Sequence, residues 1–575
     1  MNGTMESLLH GPAATALLRD DRFLSQWGAL LARCPHATAY QSPGFLCAWY
    51  AAYASQWQPV IALARDGAGE LDGLWLLAYD SAARNLAHAG THQAEYQTWL
   101  AAPGADAAFI EAAWSQLKRE LEFATLSFKF LPRQGLAETL SNIDGMRHCI
   151  HVRSHRRPLL TLDADAVKAS FAKKSNKSRV NRLKRLGTVA FRKVTDPIEL
   201  DRIFDTLIGY YDFRQGAVNS SVPFQEDPYK RDFHRELLRN GTSGAYITVT
   251  FLDEEPIAAF WGADSGDTVH LGMLFYSPFL AEHSPGKLHI MDLSLQLLRD
   301  GKSALDLTPG GDAWKDRFAN DHDIVLEVTV HVSAMNRKLA AGKETVLRWG
   351  RRCVTSAGLS PAQLKSLAAK LPRVRISSVL RKLTGWINAD REFRVYRANR
   401  ALAGTQRQQD TRVQRNALPD LLAFQPGESW QSRDGFLSSA LSRLEHGTVA
   451  YTVAMDNRLA HVGWLAHGTT SYMTEVGQSI TFPPGSVAFF DFYSHPDFRG
   501  RGLYRTTIRH MLGEAFADDA VEYAYISVLA DNGPSRHVIE TLGFEYQGSF
   551  HWQRRFGKVR KWASPSFTSS EVAHA

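Results

Sequence analysis

Ser494-His495-Pro496-Asp497-Phe498-Arg499-Gly500-Arg501-Gly502-Leu503-Tyr504-Arg505 joins a segment of strand character to a segment of helical period. Before it, Val487-Ala488-Phe489-Phe490-Asp491-Phe492-Tyr493 is a continuous apolar run bounded by Pro484-Gly485 and Pro496, which suits a strand buried on both faces. After it, Tyr504, Ile508, Met511, Leu512 and Ala515 recur at helical spacing, so Gly500 and Gly502 fall at the first turn of a helix. Free N–H groups there point outward, with the positive end of the helix dipole behind them. The turn therefore reads as a phosphate cradle. Gly500 and Gly502 admit a close backbone approach, and Arg499, Arg501 and Arg505 add positive charge.

The next residues continue the pattern. Strand-like Val521 to Leu529 follows the helix, and Asn532-Gly533-Pro534-Ser535 opens a second short helix that ends at Leu542-Gly543-Phe544. This order resembles the GNAT acyltransferase family. Its Arg/Gln-x-x-Gly-x-Gly/Ala signature is matched by Arg499 and Gly502 after a strand leading to Pro496, and its Asn-x-x-Ala/Ser signature by Asn532 and Ser535. The resemblance implies acetyl-CoA or another acyl-CoA as co-substrate. Its pyrophosphate would lie on the N–H groups from Arg499 through Gly500, Arg501, Gly502 and Leu503 to Tyr504. Its pantetheine arm would pair near Tyr493 and Ser494, supported by Asn532 and Ser535. Two departures stand out. Tyr504 occupies a position where the family usually has Gly or Ala, and Ile539 one where many members place a Tyr that protonates the leaving thiolate. For the base, Asp491 lies among Phe489, Phe490, Phe492 and Tyr493, which predicts a desolvated carboxylate with a raised pKa.

The chain has 575 residues, 44% of them apolar, enough for three or four domains at roughly 150 residues each. Its four cysteines, Cys34, Cys47, Cys149 and Cys353, have no metal-ligand spacing and are too few to staple such a length, which favours a reducing cytoplasm and no metal. No window reaches the ~18 apolar residues of a membrane span, and Met1 to Asp20 lacks the pattern of a secretory leader. The net charge of +7 is unevenly placed, because His331 to Thr384 holds twelve Lys or Arg and only Glu344 as an acid. That stretch reads as a basic helical connector, suited to packing on an acidic neighbour or to peripheral contact with an anionic membrane, the inner membrane in a bacterium.

Upstream, the helix-then-strand unit recurs. Ser284-Pro285-Gly286-Lys287 opens a helix with Leu288, Met291, Leu295 and Leu298 on one face, and Ala304 to Leu307 follows as a strand. A weaker echo runs from Pro103-Gly104 through a helix near Ala107 to Leu121 and a strand from Ala124 to Leu131. Ala39-Tyr40-Gln41-Ser42-Pro43, His92-Gln93-Ala94-Glu95-Tyr96, the basic helix Lys173 to Arg185, Ser284-Pro285-Gly286 and Asp306 to Lys315 resemble the polysaccharide-biosynthesis acetyltransferases, which have two GNAT-like halves. The expected substrate residues there are Gly286, Lys287, Asp306, Trp314 and Lys315. The basic helix has no interleaved aromatics, so nucleic acid is disfavoured as a partner.

The expected architecture is mixed α/β, with tandem GNAT-like domains on central mixed sheets. The divisions are residues 21–155, 156–332, a basic connector 333–385, a domain 386–562 with the acyl-CoA signatures, and a tail 563–575. The expected function is N-acyl transfer from acyl-CoA to a small-molecule, sugar or peptide amine. Two alternatives are an aminoacyl-tRNA-dependent peptidyltransferase-like enzyme and a non-catalytic partner of an envelope polysaccharide machine.

Overall fold

The apolar run around Val487 forms the strand Ser486–Ser494, and the helix after the glycines is Leu503–Ala515. The computed structural model describes the chain apart from residues 1–4, 133–134, 144, 240–243, 334–387, 407–409, 469, 474–476, 557 and 565–575. The helices expected in the basic connector lie outside the described residues. The chain divides into two compact units, Met1–Tyr211 with Pro223–Ser277 and His283–Ala357, and Asp212–Val222 with Pro278–Glu282 and Gly358–Ala575.

The second unit is built on an eight-stranded sheet in the order Gln414–Arg415, Val449–Met455, Arg458–His467, Ser486–Ser494, Tyr523–Leu529, Asn388–Asn399, Glu545–Arg555, Lys558–Ala563. Only Ser486–Ser494 and Tyr523–Leu529 pair in parallel, as a strand, a crossover helix and a second strand require. Their pairing runs from Ser486↔Tyr523 to Phe489↔Ile526 and stops there. Burial follows the same division. Ser486 to Phe489 are buried, whereas Phe490 to Ser494 are half-buried or exposed, so the run is a two-faced core strand only over its first half. Leu503, Ile508, Met511 and Leu512 of the crossover helix are buried against the sheet. Their burial contributes on the order of 6–12 kcal/mol as an upper bound.

Where the strands separate, a β-bulge interrupts the antiparallel side. Val462 faces Tyr493 and Trp464 faces Phe490, leaving Asp491 and Phe492 opposite Gly463. Asp491 takes φ 45°, a left-handed conformation that Asp tolerates better than most side chains. A Cβ at Gly463 would lie 2.4 Å from the Phe492 ring, so only glycine admits this bulge without displacement.

The first unit repeats the plan. One sheet runs Met5–His10, Gln58–Arg65, Leu71–Asp80, Asn85–His88, with Leu100–Ala101 also on Leu71–Asp80. Val60, Ala62 and Ala64 enter one core with Trp75 and Trp114, while Ile61 and Leu63 enter the other with Trp27 and Trp49. An eight-stranded second sheet runs Thr125–Leu131, Asp321–His331, Ile150–Thr161, Ala304–Asp306, Thr268–Tyr276, Glu255–Ser265, Ala245–Leu252, Val189–Lys193. Here Thr268–Tyr276 and Ala304–Asp306 are the parallel pair, joined through the helix Pro285–Arg299 and matched over three residues, ending at His270↔Asp306. The strand Thr268–Tyr276 also bulges, at Gly272, opposite the Trp261–Gly262 step. Residue 155 lies inside the strand Ile150–Thr161, and Thr125–Leu131 pairs with Asp321–His331, so this sheet draws strands from both N-terminal halves.

Asp306 fixes the point where the parallel strands part. It is fully buried and accepts from the Tyr96 hydroxyl at 2.5 Å, lies 2.9 Å from His270 Nδ1, and accepts from the Thr308 amide at 2.7 Å. Arg157, itself paired with Asp323, lies 3.6 Å away. Burial alone would raise the carboxyl pKa, but the His270 hydrogen bond and charge, the Arg157 charge and the Tyr96 hydroxyl together hold it below the ordinary carboxylate value. Its stabilising contribution is therefore complete above the unfolded value and lost as pH falls through the lower folded one. The first unit should lose stability on acidification below about pH 4. Asp306→Asn should flatten that dependence and cost roughly 3 kcal/mol at neutral pH, read from thermal unfolding of the full chain across a pH series.

Candidate functional site

After Ser494 the chain turns through Pro496–Phe498, anchored by the buried Phe498, and reaches Arg499 in an extended conformation. Gly500 and Gly502 then adopt φ 77° and 75°, which any other residue would hold under strain, and Gly502 starts the helix without a side-chain cap. A Cβ at either glycine would meet nothing within 4 Å, so the space over the turn is open. Among the described residues, no protein group accepts a hydrogen bond from the amides of Gly500, Arg501, Gly502, Leu503, Tyr504 or Arg505, and the helix's own ladder begins with Thr506 N–H donating to Gly502. Six successive donors thus face a helix N-terminus with no protein acceptor. The arginines are used differently from one another. Arg499 pairs with Glu428 at 2.9 Å and donates to the Ser494 carbonyl, so its charge is partly committed. Arg501 lies over the Phe498 ring at 5.2 Å, while Arg505 forms no ion pair among the described residues.

Beyond Phe489 the edge of the strand that faces Tyr523–Leu529 has no parallel partner among the described residues. Tyr493 rests against Phe424, and Ser494 Oγ lies 2.8 Å from His461 Nδ1. His461 is fully buried, and desolvation lowers its pKa to about 3, so it is a neutral imidazole across the working range. Sequence reasoning missed it. Its signal was a lone polar residue within the apolar strand Arg458–His467.

Tyr504 is partly buried against the core of the second unit. Its ring packs edge-on against Phe492 at 4.8 Å and its hydroxyl lies near Ser535. Tyr504 thereby reaches from the bulge to the first turn of the helix Gly533–Thr541, across the opening between the two strands. Asn532 caps that helix, accepting from the Ser535 amide at 3.2 Å, and is otherwise exposed. Ile539 is fully buried among Leu512, Leu542 and their neighbours, so that position contributes packing and no acid.

The expectation of a desolvated Asp491 is corrected by the bulge. The left-handed conformation takes its side chain out of the strand's alternation, leaving the carboxylate 56% exposed and ion-paired with Arg443. Arg443 in turn lies over the Trp464 and Phe490 rings. Asp491 is therefore a surface carboxylate beside the strand opening rather than a buried base.

In the first unit the structure unites some of the expected substrate residues and separates others. Lys315 donates to the Thr308 carbonyl and hydroxyl at 3.1 and 3.3 Å, while Asp306 accepts from the Thr308 amide, so Asp306 and Lys315 share one loop. Burial lowers the Lys315 pKa against the opposing pull of Asp312, Glu95 and Asp306. Trp314 packs on Phe318, and Gly286 lies under the Tyr276 ring, where a Cβ would come within 3.0 Å. Lys287 lies near Arg179, Lys173 and Arg317; desolvation and then those charges lower its pKa. A separate cleft is lined by Tyr40, His92, Glu95, Lys129, Lys230 and His234 among others. Glu95 and Lys129 pair at 2.5 Å there. His234 is 6% exposed, held against Phe233 and Trp261, and among the described residues neither ring nitrogen has a hydrogen-bond partner. Desolvation holds its pKa well below the usual histidine value.

Two stretches match family models described as acetyltransferase (GNAT) domains, residues 170–316 and residues 391–545. Comparison with curated proteins gives no match. Among solved structures, the tandem GNAT protein from the clavulanic acid biosynthesis pathway is 17% identical over 57% of this chain and 99% of its own, with a TM-score of 0.34. FemX is 12% identical over 53% and 95%, with a TM-score of 0.36. L-PGS from Bacillus licheniformis is 11% identical over 55% and 96%, with a TM-score of 0.36. Each matched domain carries a bulged strand that parts from its parallel neighbour, with a helix crossing between them, and the chain belongs to the GNAT acetyltransferase superfamily.

Proposed function

We propose that the second unit is an acyl-CoA-dependent N-acyltransferase, with acetyl-CoA the simplest donor and an amine on a small molecule, sugar or peptide as acceptor. The proposal extends to an acceptor in polysaccharide or cell-envelope synthesis, following the resemblance of the N-terminal portion. The observation that carries it is the run of unengaged amides from Gly500 to Arg505 beside the opening of the parallel strands. A pyrophosphate would take those amides and the charge of Arg501 and Arg505. The pantetheine would follow the unpaired edge after Phe489 toward Tyr493 and Ser494, which requires the Tyr504 ring to swing on its side-chain torsions. Backbone N–H groups on that edge would polarise the thioester carbonyl. The attacking amine would lose its proton through water to Asp491, which is ion-paired with Arg443, and the thiolate would leave.

Calorimetry on the full chain separates the parts. Acetyl-CoA should bind the native protein, Gly502→Trp should abolish binding by filling the cradle, and Tyr504→Gly should tighten it by about fivefold or more. Asp491→Asn should leave affinity unchanged and lower turnover on the order of a hundredfold. No binding to the native chain would overturn the proposal. Binding confined to Tyr504→Gly would favour a non-catalytic partner with a closed site.

One observation favours a second reading, a transferase that takes aminoacyl-tRNA in the first unit. Lys173, Arg179, Lys287 and Arg317 gather near the start of the helix Pro285–Arg299. Transfer RNA binding that falls steeply with salt and is lost on neutralising Lys287 would support it over the acyl-CoA reading.

A further inference from the structure

The final hairpin of the second unit pairs Glu545–Arg555 with Lys558–Ala563 and ends the sheet. Within it Arg554, Arg555, Lys558, Arg560 and Lys561 follow one another with no acid between them. Every residue from Lys558 to Trp562 is exposed. Phe556, in the turn at φ 49°, is 86% exposed, and Val559 is 50% exposed. None of the five cations forms an ion pair among the described residues. Lys561 donates to the Gly477 carbonyl, and Arg554 and Arg560 lie over Trp552 and Trp562. The nearest carboxylates on the adjoining strand are engaged elsewhere, Asp390 with Gln553 and Glu392 with Arg394 and Ser549.

The register sets the geometry. Arg555 pairs with Lys558, Gln553 with Arg560 and His551 with Trp562, so Arg555, Lys558 and Arg560 share one face of the ribbon. Charge on an edge strand is often a guard against pairing with another chain. That role needs no bulky apolar residue at the tip, and a tip of Phe556 flanked by Val559 would work against it. An apolar tip ringed by unpaired cations has the chemistry of a group that enters the acyl boundary while the cations meet lipid phosphates. A nucleic acid would use the same charges, but its bases need open aromatic faces in a row, and Trp562 is already stacked on His551 at 4.8 Å.

We propose that this hairpin docks the protein on an anionic membrane surface, with Phe556 inserted and Arg555, Lys558 and Arg560 against the headgroups. The docking is independent of acyl transfer. Flotation of the full chain with phosphatidylcholine vesicles and with phosphatidylglycerol-rich vesicles tests it. The chain should float only with the second kind and be released as salt rises. Arg555→Glu with Lys558→Glu should lower partitioning by more than about twentyfold, from roughly fivefold for each charge lost. Phe556→Asn suits the left-handed turn, keeps every charge and should still weaken binding. Circular dichroism of both variants confirms their folding. Failure of the native chain to float would overturn the proposal, as would flotation that survives the charge reversal, which would belong to the basic stretch 331–384. Tight binding of a single-stranded RNA without vesicle binding would replace the membrane with a nucleic acid as the partner.

Discussion

The parting of two parallel strands after Phe489 and Ile526 is the constraint on which the second unit depends. A parallel pair fully zipped along its length would have no free edge. The Asp491–Phe492 bulge turns one strand away, and Gly463 makes room for the Phe492 ring that the bulge displaces. The crossover helix then begins at the mouth of the opening, where left-handed glycines leave its first amides without acceptors. Strand, bulge, opening and cradle are thus one device. Each part is unfavourable alone, through an interrupted ladder, a left-handed Asp or donors without a protein acceptor, and under the proposed function together they would receive an anionic, chain-like molecule.

The first unit uses the same device differently. Its parallel pair parts after His270 and Asp306, and there the opening holds a buried network of Tyr96, His270, Arg157 and Thr308 around one carboxylate. Tyr96 comes from the first half and Asp306 from the second, so the network ties the halves at the position where the other unit keeps its strand edge free. In both units a tyrosine stands at the opening. Tyr96 is fixed there by an ionised partner, whereas Tyr504 is held by ring packing, a weaker restraint.

Much of this was legible in the residues. The apolar run before Pro496 and the helical spacing after Gly502 gave the strand, helix and strand of the second unit, and the pattern after Ser284 gave the helix and following strand of the first, within a few residues of their observed ends. What escaped were properties set by tertiary geometry. Neighbouring phenylalanines suggested a buried Asp491, but one left-handed residue turns its side chain out, and no local pattern announces a bulge there. Arg499 meets Glu428 and Asp491 meets Arg443, partners far away in sequence and invisible to spacing. His461 could have been noticed as the polar break in an apolar strand. The final hairpin was hidden for another reason, because its charges matter only once Lys558 to Trp562 are seen to face solvent.

Selective observation of the glycine amides during titration of the full chain with coenzyme A tests the central claim most directly. A ¹⁵N-glycine-labelled sample, assigned by loss of single resonances in Gly500 and Gly502 variants, should show those two amides shifting together and saturably. If they remain unmoved while coenzyme A binds elsewhere or not at all, the cradle is only a helix start, and the account of this unit is contradicted.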